Sequence, residues 1–115
     1  MVLLDESKVN KKGIVVGVTG GNGFIGKKII DRLSDEGIKV ISLQKINTSF
    51  AKCETRFFDL SRLDTINKEL LNDINVVVHT AALVHKNKSK KGLYKLMNTD
   101  ATAKLYDLSI ALEIN

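Results

Sequence analysis

The sequence predicts an α/β fold built around a parallel sheet, and three observations carry the prediction. Short, predominantly apolar runs recur at Ile14 to Val18, Ile38 to Leu43 and Asn75 to Val78, as expected of strands buried on both faces. Other segments space their apolar residues three or four apart, which is the pattern of a helix with one buried face. Gly20, Gly21, Gly23 and Gly26 crowd the point where the first run ends and the first helical pattern starts.

Taken in order, residues 1–12 mix charges without periodicity, so a mobile leader is expected there and the folded unit is assigned to 13–115. Ile14 to Val18 is strand one. Helix one follows from about Gly23, with Ile25, Ile29, Ile30 and Leu33 on one face and Lys27, Lys28, Asp31 and Arg32 on the other. Gly37 stops it, because glycine best accepts the left-handed conformation after a helix. Ile38 to Leu43 forms strand two and Arg56 to Phe58 a shorter strand three. Ser61-x-x-Asp64 has the spacing of a capping box opening a helix that carries Ile66, Leu70 and Leu71. Asn75 to Val78 is strand four. Leu93, Met97, Ala101, Leu105, Leu108 and Leu112 then mark a long amphipathic helix, in a chain with no proline to break it.

Strands alternating with helices call for crossover connections and a parallel sheet covered on both sides. The expected strand order is 3-2-1-4, the first half of a doubly wound parallel sheet of the Rossmann type. In such sheets a ligand lies at the carboxyl ends of the strands, where Gly20, Gln44, Asp59 and His79 fall.

Composition narrows the field. A chain of 115 residues with 43% hydrophobic content has room for one core and excludes a two-domain enzyme. The net charge of +5 suits an anionic ligand, but part of the excess sits in residues 1–12 and in the tract Lys86-Asn87-Lys88-Ser89-Lys90-Lys91. With no interleaved aromatics to stack bases, that tract reads as solvated loop lysines, and nucleic acid is not an expected partner. No secretory signal and no run of about 20 apolar residues is present, so a soluble, cytoplasmic protein without membrane contact is expected. Cys53 is the only cysteine, which rules out an intramolecular disulfide and argues against a zinc site; it is expected to be a bystander, and no metal site is expected.

The glycine octet Thr19-Gly20-Gly21-Asn22-Gly23-Phe24-Ile25-Gly26 carries the chemistry. Glycines at a strand-to-helix turn let the backbone approach a pyrophosphate, and the first helical amides, those of Phe24, Ile25 and Gly26, point unpaired at the anion. A second reading shares these residues. Gly21-x-x-x-x-Gly26-Lys27-Lys28 nearly completes the P-loop pattern of NTPases, but Lys28 stands where a Ser or Thr hydroxyl must hold Mg²⁺, and an ammonium cannot ligate a cation.

Gly20-x-x-Gly23-x-x-Gly26 after Thr19 resembles the extended short-chain dehydrogenase/reductase family, which includes nucleotide-sugar epimerases, dehydratases and ketoreductases. The resemblance implies further roles. Asp59-Leu60 matches the acidic-apolar pair that contacts adenine, with Asp59 accepting the exocyclic amine and Leu60 packing on the ring; otherwise Asp59 caps a turn. Val76-Val77-Val78-His79-Thr80-Ala81-Ala82 matches the strand-four signature, in which Thr80, Ala81 and Ala82 run close under the ribose and pyrophosphate. His79 is expected to orient a loop by hydrogen bonding rather than to do acid-base work. Leu83-Val84-His85 is similar to a subgroup acting on nucleotide-linked sugars in surface-polysaccharide synthesis. Asn98-Thr99 matches the family's Asn that kinks the last helix and anchors the active site.

Departures matter as much. The family uses a Tyr-x-x-x-Lys pair, yet Tyr94 and Tyr106 are followed four residues later by Asn98 and Ile110. No catalytic residue is therefore assigned, and the resemblance implies the cofactor-binding front of an enzyme, ending before a fifth strand. The implied partners are NAD or NADP and, for a full-length parent, a nucleotide sugar, with homodimerisation of that parent allowed. A non-catalytic dinucleotide-binding or redox-sensing module needs the same glycines and no Tyr-Lys pair. NADP is slightly favoured, because Gln44 and Lys45 stand at the end of strand two, where an acidic residue would repel a 2′-phosphate.

Overall fold

The computed structural model describes residues 13–45, 53–82 and 91–114. Its elements are β1 (Val15–Thr19), α1 (Phe24–Asp35), β2 (Lys39–Gln44), β3 (Glu54–Phe57), a 3-10 turn at Leu63–Thr65, β4 (Val76–His79) and α2 (Lys91–Ala111). The four strands pair in parallel in the order β3-β2-β1-β4, which is the predicted order. Residues 1–12, Leu83-Val84-His85 and residues 86–90 of the lysine tract lie outside the described residues.

The sheet separates two apolar layers, because successive strand residues point to opposite faces. Val16, Val18, Val40, Val76 and Val78 pack with Ile30 of α1, joined by Ile29, Leu33 and Cys53 at the margin. Ile41, Leu43 and Val77 face the other way, onto Phe58, Leu60, Ile66, Leu70, Leu71 and Ile74 and onto Ala101 and Leu105 of α2. Registry sets the functional edge. Thr19 lies opposite both Leu43 and His79, and Gln44 lies opposite Phe57, so all four strands end together.

Strands β1, β2 and β4 each lie one residue later than predicted, and β3 starts two residues earlier, at Glu54. The larger correction concerns the segment after β3. No α-helix carries Ile66, Leu70 and Leu71; a single 3-10 turn is followed by irregular turns. The reason is competition from side chains. Ser61 donates its hydroxyl to Asp59 Oδ1 instead of capping a helix, and Asn67 Oδ1 accepts the Leu70 amide. Arg56 Nη1 donates to the carbonyls of Leu70 at 2.9 Å and Asn72 at 2.7 Å, removing acceptors a helix would need. Ile66, Leu70 and Leu71 are nevertheless buried.

Both helical faces also need correction. Ile25 is 63% exposed and not part of the buried stripe of α1. On α2, Leu93 is exposed, and the buried positions are Ala101, Leu105 and Ser109. Helix α1 ends as predicted, with Gly37 at φ +78° and its amide donating to the Ser34 carbonyl at 3.0 Å.

Candidate functional site

The turn between β1 and α1 is shaped by contacts that only glycine permits. Gly20 has φ +69°, a region costly for any side chain, and its amide donates to the Leu43 carbonyl at 2.8 Å while its carbonyl accepts the Gly23 amide at 2.9 Å. A Cβ on Gly26 would fall on the Gly20 carbonyl oxygen and lie 2.8 Å from its carbon. A Cβ on Gly21 would fall on Ser42 Oγ. Gly23 differs, since a Cβ there would meet only Gly20 O, at 3.2 Å. Its side is open. Gly23 is the N-cap of α1, no side chain caps that end, and the first turn holds no acidic residue. The leading amides of a 12-residue helix are thus left to whatever occupies the space in front of them.

That space is a hollow of about 250 Å³ bounded by Gly20 and Gly23 of the turn, Gln44 and Lys45 after β2, Phe58, Asp59 and Leu60 after β3, and Thr80, Ala81 and Ala82 after β4, with Asn22 at the rim. Nine residues singled out in the sequence therefore share one cavity, at the carboxyl edge of the sheet. Phe24 and Ile25 do not line it through their side chains, which are 77% and 63% exposed; Lys28 Nζ sits 4.4 Å from the Phe24 ring centre. Gly26 acts in packing behind the turn. Asn98 lies elsewhere, on an open groove of α2 with Thr99, Thr102 and Tyr106, and α2 runs through it as continuous helix.

Each wall is fixed locally. Asp59 Oδ1 accepts the Ser61 amide at 2.9 Å and hydroxyl at 2.6 Å, so Asp59 does cap a turn through that oxygen. Burial pushes its carboxyl up, but the Ser61 bonds and the positive charges of Lys45 and Arg62 outweigh it and hold it below the usual value. Gln44 is 1% exposed, and its Oε1 accepts Ser42 Oγ at 2.7 Å. Thr80 Oγ1 donates to the Thr19 carbonyl at 2.6 Å, while Thr19 Oγ1 accepts the amides of Thr80 at 3.0 Å and Ala81 at 3.2 Å. His79 Nδ1 meets Thr19 Oγ1 at 2.6 Å, its Nε2 meets Thr102 Oγ1 at 2.9 Å, and burial lowers its pKa.

Sequence reasoning missed Phe58, Asn22, Ser42 and Thr102. Phe58 follows directly from strand three and stands beside Asp59, and Ser42 stands two residues before Gln44 on one face of β2, signals that were available; Thr102 acts through a contact with His79 that no local pattern announces. Among the described residues no group of three His, Cys, Asp or Glu side chains is placed to hold a metal, and no helix is long and apolar enough to cross a membrane.

An open parallel sheet in the order β3-β2-β1-β4, with a glycine turn leading into the first helix, is the architecture of doubly wound nucleotide-binding folds. The chain belongs to the NAD dependent epimerase/dehydratase family, whose profile matches residues 16–114. It is 33% identical over 97 residues to a sterol-4-alpha-carboxylate 3-dehydrogenase (decarboxylating) of Dictyostelium discoideum, covering 79% of this chain and 29% of that protein. It is 35% identical over 77 residues to a protein of Methanocaldococcus jannaschii named as a UDP-glucose 4-epimerase, covering 63% of this chain and 25% of the relative. Among solved structures, MoeE5 in complex with UDP-glucose and NAD superposes with a TM-score of 0.70 at 26% identity, over 89% of this chain and 34% of that one. The chain thus spans less than a third of the length of these curated relatives.

Proposed function

We propose that this chain is the NAD(P)-binding part of an enzyme that epimerises, dehydrates or reduces a nucleotide-linked sugar by hydride transfer at a sugar carbon. The observation that carries the reading is the hollow at the strand ends, whose glycine wall is open at Gly23 and whose helix terminus has no cap of its own. A dinucleotide fits this wall, because the side of Gly23 that faces open space is where a pyrophosphate would approach the amides of Phe24, Ile25 and Gly26. A bound nicotinamide supplies the hydride chemistry. The chain's own residues bind and orient: Asp59 Oδ2 toward the adenine amine, Leu60 against the ring, Gln44 and Lys45 toward the ribose, and Thr80, Ala81 and Ala82 beneath the ribose and pyrophosphate. The sugar class is supported by the UDP-sugar names of two of the relatives. A second reading, in which the substrate is a sterol alcohol, is favoured by the Dictyostelium relative. Acid-base catalysis needs a Tyr-x-x-x-Lys pair that this sequence does not contain, so in this reading the chain alone binds cofactor without turning it over.

Titrating NADH and NADPH by fluorescence against the wild type and Lys45→Ala tests the reading. Binding of both cofactors is expected, with NADPH tighter by a few-fold, as an exposed charge pair contributes up to about 1 kcal/mol, and with that preference lost in Lys45→Ala. A folded chain that binds neither cofactor overturns the assignment. Equal affinities unchanged by the substitution overturn the preference, and turnover of a keto sugar by this chain alone overturns the non-catalytic part.

A further inference from the structure

The contacts around His79 have a fixed direction. Thr19 Oγ1 is approached by three groups: the amides of Thr80 and Ala81 and the Nδ1 of His79. Amides only donate, and a hydroxyl has two acceptor lone pairs and one proton. With both lone pairs taken, the Thr19 hydroxyl proton has to go to His79 Nδ1, which must be bare. The neutral imidazole then carries its proton on Nε2 and donates it to Thr102 Oγ1, 2.9 Å away on α2.

The far end of the chain of bonds is a wall of the hollow. Thr80, Ala81 and Ala82 line it, and Ala81 lies so close to the glycine turn that a Cβ on Gly20 would stand 3.0 Å from the Ala81 Cα. The imidazole also meets Phe58, another lining residue, edge to face with ring centres 6.5 Å apart. The opposite tautomer would aim an N–H at a Thr19 oxygen with no lone pair to spare. The bonds at Thr19 therefore set the polarity, and Thr102, whose hydroxyl can donate or accept, follows it.

We propose that Thr102 is a positioning residue of the site: by accepting from His79 Nε2 it anchors the imidazole, which receives the Thr19 hydroxyl and so holds the Thr80 and Ala81 amides in the cavity wall. Its effect on cofactor affinity rests on the dinucleotide reading above, whereas its effect on the imidazole and the amides does not. Helix α2 thereby reaches a hollow that none of its described residues lines.

Long-range ¹H–¹⁵N spectra of the imidazole, amide exchange at Thr80 and Ala81, and NADH titration test this on the full chain. The wild type is expected to show the Nε2–H tautomer. Thr102→Val, which keeps the shape and removes the acceptor, is expected to keep the tautomer but lose the hydrogen-bonded shift of Nε2–H, to speed exchange at both amides and to weaken NADH binding about tenfold, as loss of one partly buried hydrogen bond implies. Thr102→Ser is expected to restore all three. A wild type in the Nδ1–H form, or a folded Thr102→Val with unchanged Nε2–H shift and exchange, overturns the relay. If Thr102→Val does not fold, the wild-type tautomer and Thr102→Ser decide, a wild-type Nε2–H shift and exchange rates retained by Thr102→Ser supporting the relay. If the wild type binds no NADH while the Nε2–H shift and exchange respond as expected, the relay stands and the dinucleotide reading fails.

Discussion

Adding one methyl group to either of two glycines in the same turn should produce opposite failures. At Gly26 the methyl meets backbone on the fold's side: the Gly20 carbonyl oxygen and carbon, the latter at 2.8 Å, and the Gly21 Cα at 3.0 Å. Backbone cannot swing aside as a side-chain tip can, so Gly26→Ala takes the upper part of the overpacking range, about 3 kcal/mol. Alanine recovers about 1 kcal/mol over glycine as a helical residue. The net loss of about 2 kcal/mol corresponds to a fall in melting temperature of roughly 8 °C or more for a domain of this size. At Gly23 the methyl meets only Gly20 O, at 3.2 Å, and the backbone there, at φ −82° and ψ 171°, is open to any residue. Gly23→Ala forfeits a modest N-cap preference of about 0.5 kcal/mol, and melting should fall by only a few degrees.

Ligand binding reverses the ranking. The Gly23 methyl occupies the space in front of the amides that would hold the pyrophosphate. Losing two charge-assisted hydrogen bonds at about 1.5 kcal/mol each raises the NADH Kd roughly a hundredfold. The assay is thermal melting by circular dichroism beside NADH fluorescence titration, on both variants and the wild type. A folded Gly23→Ala with wild-type affinity would refute the placement of the pyrophosphate. A Gly26→Ala that melts with the wild type would refute the packing argument.

Two further outcomes follow from the same geometry. Arg56→Met removes a guanidinium that ties the carbonyls of Leu70 and Asn72 to β3; a loss of about 1–2 kcal/mol is expected, part of it recovered by water, and an unchanged urea midpoint would remove Arg56 from the account of why that segment is not helical. Burial depresses the pKa of His79, so the folded state binds its proton less readily than the unfolded state. Its contribution is complete above the unfolded value near pH 6.5 and is lost as pH falls through the folded value. Melting temperature should be level above about pH 7 and decline on acidification below it, with that decline reduced in His79→Gln; wild-type and variant curves of the same shape would show that His79 does not set it.

The sheet was legible because its signals are local. Buried parallel strands leave apolar runs, as at Val76, Val77 and Val78, and Gly37 marks a helix end by its tolerance of φ +78°. Where the reading failed, a distant group decided. Ser61 and Asp64 have capping-box spacing, but Asp59 takes the Ser61 hydroxyl and Arg56 reaches in from β3 to claim carbonyls, and neither competitor belongs to the pattern being read. Periodicity alone puts Ile25 on the buried face, yet it sits in the first turn of α1 and is 63% exposed. Of the site, nine lining positions were visible as motif residues; Thr102 was not, because it matters only through His79, a partner brought near by the fold.

The same logic joins two motifs that look independent in sequence. Thr19 with its glycines ends β1, and His79-Thr80-Ala81-Ala82 ends β4, 60 residues on from Thr19 to His79. In the structure Thr19 Oγ1 accepts both amides that follow His79, and Thr80 Oγ1 returns a bond to the Thr19 carbonyl. Gly20 must lack a side chain because Ala81 lies against it, and Ala81 must be small for the same reason. The glycine turn and the strand-four signature are therefore two halves of one wall. A change at either is felt at the other, so substitutions at Thr19 and Ala81 should be non-additive in both stability and cofactor affinity.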